Sequence, residues 1–230
     1  MPGQKEGEEG FEGQYVHHPV VDEANDRVYA GFRIGSGHIA SWDISDPSDP
    51  RLVWSYDTSP PGRGPHTVSP IVYDEVPNIT AADGELPRTY ALVSDEYDGL
   101  ECPHGIKSRV YMFDITHETH PMPLSTWQVP IGDFCDIGGN FGPHQHAETV
   151  NGYLNRFEDK LAWIAYLNAG VRVLDISDPQ NLREVGYYIP KTNASPRPSQ
   201  PRPVPIQLTL SLIHISEPTR PRLISYAVFC

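Results

Sequence analysis

Leu174-Asp175-Ile176-Ser177-Asp178-Pro179 closes the alternating run Gly170-Val171-Arg172-Val173, and the same phrase occurs twice more in the chain. It reads Trp42-Asp43-Ile44-Ser45-Asp46-Pro47 in the first copy and Phe113-Asp114-Ile115-Thr116-His117 in the second. Each copy ends an apolar, alternating run, the pattern expected of a strand that buries a sheet face. Asp followed by Ser or Thr then bonds nearby backbone and ends the strand, and Pro, present in two copies, removes a ladder donor. These roles assign Asp43, Asp114 and Asp175 to turn chemistry rather than catalysis. A phrase that recurs at such intervals is the mark of a repeat architecture.

Working outward from the phrase, each unit resolves into four short strands. The first is predicted at 15–22, 27–32, 38–44 and 51–56. The second is predicted at 66–74, 88–93, 109–115 and 124–129, and the third at 144–150, 160–167, 171–176 and 183–188. The polar and Gly/Pro-rich stretches 75–87, 97–107 and 131–143 read as loop insertions, which a fold tolerates cheaply. Tandem four-stranded antiparallel units predict an all-β chain, a partial β-propeller of about three blades at 15–60, 61–130 and 131–190. Propellers close with roughly four to eight blades, so a fragment of a longer ring is expected, with a ring shared between chains as the alternative.

Composition narrows the partners. Lys and Arg number 17 against 30 Asp and Glu, a net charge of −13. Nucleic acid and anionic membrane surfaces select basic patches, so neither is the expected partner. Pro (24) and Gly (19) are frequent, as short strands and many turns require. No apolar run is long enough to span a bilayer. Residues 1–14 are acidic and Gly-rich, unlike a secretory signal. Cys102, Cys135 and Cys230 lack metal-type spacing, and pairing of Cys102 with Cys135 stays open.

After Lys191 the character of the chain changes. Residues 195–205 are Pro-rich and unfit for a sheet interior. Residues 208–221, containing Leu212-Ile213-His214-Ile215-Ser216-Glu217-Pro218, resemble the translation of a sequencing-adapter read. Residues 191–230 are therefore expected to be a Pro-rich linker and a disordered or artefactual tail outside the fold.

The phrase at 170–179 with Arg183-Glu184-Val185-Gly186-Tyr187, together with Gly138-Gly139-Asn140-Phe141-Gly142-Pro143-His144 and Tyr166-Leu167-Asn168-Ala169-Gly170, resembles the LVIVD-repeat family of bacterial β-propellers. The resemblance covers roughly residues 15 to 190. It implies a propeller and, because most members act outside the cytoplasm, a periplasmic or extracellular setting. It implies no particular activity.

A histidine recurs at the start of each innermost strand. The first unit has His17-His18-Pro19, the second Gly64-Pro65-His66, and the third Gly142-Pro143-His144-Gln145-His146-Ala147-Glu148. Innermost strands of a propeller surround its axis, so equivalent positions converge there. Neutral imidazole is the commonest metal ligand, and a divalent transition metal is the cofactor this convergence would hold. Strand alternation would aim His144, His146 and Glu148 the same way and would admit only one of His17 and His18. Glu96 or Glu148 would then serve as the acid/base beside a metal-bound water. Asp95 and the loop residues Cys102 and His104 lie near in sequence. Two functions follow. One is an exported binding or scaffold module whose channel or loops receive a protein or small-molecule ligand. The other is a metal-dependent hydrolase or oxidoreductase using the axial histidines.

Overall fold

The computed structural model describes residues 15–32, 37–59, 64–79, 85–96, 108–134, 136, 140–146 and 160–189. The termini, the tail after Ile189, all three cysteines, His104 and Glu148 lie outside these residues. The described strands are β1 (Val20–Asp22), β2 (Arg27–Gly31), β3 (His38–Asp43), β4 (Arg51–Asp57), β5 (Pro65–Tyr73), β6 (Arg88–Asp95), β7 (Val110–Asp114), β8 (Met122–Trp127), β9 (Leu161–Ala165), β10 (Val171–Asp175) and β11 (Arg183–Tyr188). They form three antiparallel sheets: β1-β2-β3-β4, β5-β6-β7-β8 and β9-β10-β11. Each resembles a propeller blade. In the third, an isolated bridge from His146 to Ile164 stands where a fourth, innermost strand was expected.

Alternation along β6 and β7 makes the second sheet the middle layer. Tyr90, Leu92, Val110 and Met112 pack with Ile164, Leu174 and Ile176 of the third sheet. Their strand neighbours Ala91, Val93, Tyr111 and Phe113 pack with Tyr29, Ile39 and Trp54 of the first. Period-two geometry thus splits each strand between two cores. Full burial of each large apolar side chain contributes about 1.5–3 kcal/mol. Polar ties add to the packing. The Tyr73 hydroxyl donates to the Ile176 carbonyl at 2.6 Å, and Arg27 forks onto Glu118 at 2.9 and 3.0 Å.

The recurring phrase builds one corner three times. Asp43, Asp114 and Asp175 each accept a backbone N–H two residues on, from Ser45, Thr116 and Ser177 at 2.8, 3.0 and 2.9 Å. An arginine pairs with each carboxylate: Arg27 at 3.4 Å, Arg88 at 2.5 Å and Arg183 at 2.6 Å. Just before each Asp, pairing with the outer strand shifts register, at Ser41/Trp42, Met112/Phe113 and Val173/Leu174. The phrase therefore encodes a bulge and a capped turn.

Asp114 is the most enclosed of the three. Burial pushes its carboxyl up, but hydrogen bonds from Arg88 and Thr116 outweigh that and hold it below its ordinary 3.8. A depressed carboxylate contributes stability above its unfolded value and loses it as pH falls through the folded one. Asp114→Asn is expected to cost about 2 kcal/mol at neutral pH, and the cost should shrink as pH drops below that range. Urea melts of both proteins at pH 7 and pH 3 read this; a cost independent of pH would place the effect elsewhere.

Candidate metal centre

The three recurring histidines occupy one structural position, a break in register on the innermost strand. In the second sheet Pro65 opposes Asp95 but Thr67 opposes Ser94, so His66 is an extra residue in β5. In the third, His144 N–H donates to the Ala165 carbonyl at 2.8 Å and Ala165 N–H donates to the Gln145 carbonyl at 2.8 Å, so two residues face one. In the first, Val16 bridges Phe32 while Val20 opposes Tyr29, and His17 N–H donates to the Gly31 carbonyl at 3.0 Å. A bulge bends its strand and re-aims a side chain. Pro before the second and third histidines suits this, because a bulge leaves a ladder position where no N–H is needed.

The rings converge. The His66 centroid lies 4.0 Å from that of His17, 4.4 Å from that of His144 and 5.3 Å from that of His18. Glu96, just past β6, brings Oε2 to 4.0 Å from His66 Nε2 and 3.6 Å from His144 Nε2. Ligand atoms of His17, His66 and Glu96 all lie within 4.8 Å of one another. For comparison, donors around a tetrahedral ion with bonds of about 2.0–2.1 Å sit roughly 3.3 Å apart. His66 Nδ1 is hydrogen-bonded to Thr67 Oγ1 at 2.7 Å, which directs Nε2 toward the carboxylate. The Glu96 backbone is held too: its N–H donates to the Gly64 carbonyl, and Gly64 N–H donates to Asp95 Oδ1, both at 2.7 Å.

Sequence alternation admitted only one of His17 and His18, yet both rings lie against His66. The reason is that Val16 bridges the first sheet whereas His18 bridges Thr67 of the second, in parallel. Between Val16 and Val20, both paired in the first sheet, the segment touches the second at His18, and no regular strand alternation governs it. His144 and His146, expected side by side, are separated. His146 is fully buried, with Nδ1 2.9 Å from Ser94 Oγ and Nε2 2.8 Å from Ser69 Oγ. The bulge at His144 inserts one residue, and that reverses which way His144 faces relative to His146. Burial, with the charge of His18 adding to it, drives the His146 pKa down to about 3. Its imidazole is neutral, one nitrogen donating and one accepting, and two serine hydroxyls satisfy both. Ser69 and Ser94 carry no sequence signal, since serine in a strand is ordinary. Glu148, Cys102 and His104 fall outside the described residues. No helix among the described residues is long and apolar enough to cross a membrane.

Among curated proteins none matches the chain. Among solved structures, the periplasmic gluconolactonase of Pseudomonas aeruginosa is similar at 18% identity and a TM-score of 0.48, over 76% of this chain and 41% of that one. The "putative 6-phosphogluconolactonase" of Bacteroides fragilis is similar at 15% identity and a TM-score of 0.46, over 79% of this chain and 43% of that one. The chain thus spans less than half the length of either. Residues 42–58 and 158–189, which hold the first and third copies of the phrase, match the LVIVD repeat model. The chain thus carries LVIVD repeats in two stretches, which fall in the first and third of its three blade-like sheets.

Proposed function

We propose that the chain binds a divalent transition metal through His17, His66 and Glu96, with His144 beside the same carboxylate oxygen. The observation that carries this is the recurrence of one bulge in all three sheets: its histidines His17 and His66 share a donor group with Glu96, and His144 reaches the same carboxylate oxygen. A donor set rich in imidazole with one carboxylate suits zinc, copper, iron or nickel better than calcium or magnesium, which prefer oxygen. A bound ion would supply Lewis acidity toward a coordinated oxygen, or redox chemistry. A hydrolase or an oxidoreductase is the enzymatic form of this reading, with His18, stacked on His66, as the neighbouring proton carrier. The scaffold reading draws on a different observation, the exposed Val185, Tyr187 and Tyr188 of β11, a surface suited to a protein partner. An exported setting rests on the family resemblance and is tested by fractionation.

Calorimetric titration of the full chain with Zn²⁺, Cu²⁺ and Ca²⁺ tests the metal reading. One equivalent of Zn²⁺ or Cu²⁺ should bind, Ca²⁺ should not, and Glu96→Gln should weaken binding by at least about tenfold. Binding that ignores Glu96→Gln would sink the assignment.

A further inference from the structure

We infer that His146 is a positioning residue of this centre, strapping the segment that carries His144 to the two strands that carry His66 and Glu96. The inference rests on the metal reading above. Its geometry is independent of the donor cluster. His146 bridges Ile164 of the third sheet through its backbone, while its ring lies between Ser69 of β5 and Ser94 of β6 in the second.

The strap is asymmetric, and that separates it from repeat inheritance. His17, His66 and His144 occupy equivalent bulges. The residues two further on are Pro19, Val68 and His146, so only the third unit places an imidazole there. Ser94 immediately precedes Asp95 and Glu96, and Ser69 lies three residues after His66. Both hydroxyls are buried, as is the ring, so water does not compete for these bonds. One neutral imidazole thus sets the spacing between the second and third sheets at the level of the cluster. His144 lies within 3.6 Å of Glu96 as a consequence. Outer-shell partners that orient ligands typically change metal affinity 10–100-fold when removed.

The test uses the full chain loaded with Cu²⁺. Ser69→Ala, Ser94→Ala and the double variant are compared by competition titration and by the Cu²⁺ EPR spectrum, with Ser94→Thr as the conservative control. The double variant should bind about 10–100-fold more weakly and shift the copper hyperfine splitting, while Ser94→Thr restores both. The single variants each keep one bond, so they stay readable if the double variant folds poorly. Tyr73→Phe, which loses a different tie between the same two sheets, should leave the EPR spectrum unchanged. In a His144→Ala background the serine substitutions should have no further effect on affinity. Additive losses in that background, or an equal EPR change from Tyr73→Phe, would overturn the inference. A wild-type chain that takes up no Cu²⁺ would instead overturn the metal reading itself.

Discussion

His66→Ala is expected to lower metal affinity by more than about 100-fold, beyond the 10–100-fold range of an outer-shell change. Its ring is the hub of the cluster, in contact with those of His17, His18 and His144. Its Nε2 faces Glu96, and its Nδ1 is already occupied by Thr67. Without it, two of the three closest donors remain, on different sheets. His18→Ala should lose far less, because His18 stacks on His66 but lies outside the donor group. Competition titrations of both variants separate the two roles. Equal losses would mean that the stack, and not the donor geometry, governs binding.

Gly31→Ala is expected to destabilise the fold by about 3 kcal/mol, at the upper end for overpacking. A Cβ at Gly31 would lie 2.2 Å from the Pro65 carbonyl oxygen and 2.6 Å from its carbon. That contact is backbone, so no side-chain rotation relieves it; the first and second sheets must part. The same glycine accepts the His17 N–H, and Pro65 directly precedes His66. Parting the sheets therefore draws His17 away from His66, and metal affinity should fall with stability. Chemical denaturation and metal titration of the one variant read both effects. A stable Gly31→Ala protein with unchanged affinity would show that the close approach does not set the cluster.

The sheets were legible because alternation and the Asp-Ile-Ser/Thr corner are local. β11 coincides with its predicted span, and β5 and β9 differ by only a residue or two at each end. Convergence of the histidines was legible from the repeat. Their facing was not, because alternation assumes an unbroken strand, and each of these histidines sits at a bulge. The signal lay in Gly64-Pro65-His66 and Gly142-Pro143-His144: a proline where an innermost strand begins marks a ladder position that needs no donor. A bulge at that position adds one residue to the strand, and this turns His144 and His146 to opposite sides. The serines that hold His146 had no such signal, since their role comes from contact between sheets far apart in sequence.

The most direct test of the central claim is anomalous diffraction from crystals of the full chain grown with Zn²⁺ and measured at the zinc edge. The account predicts one strong peak bonded at about 2.0–2.1 Å to nitrogens of His17 and His66 and to a carboxylate oxygen of Glu96. A peak at other residues, or none at this cluster with zinc present at saturating concentration, would contradict it.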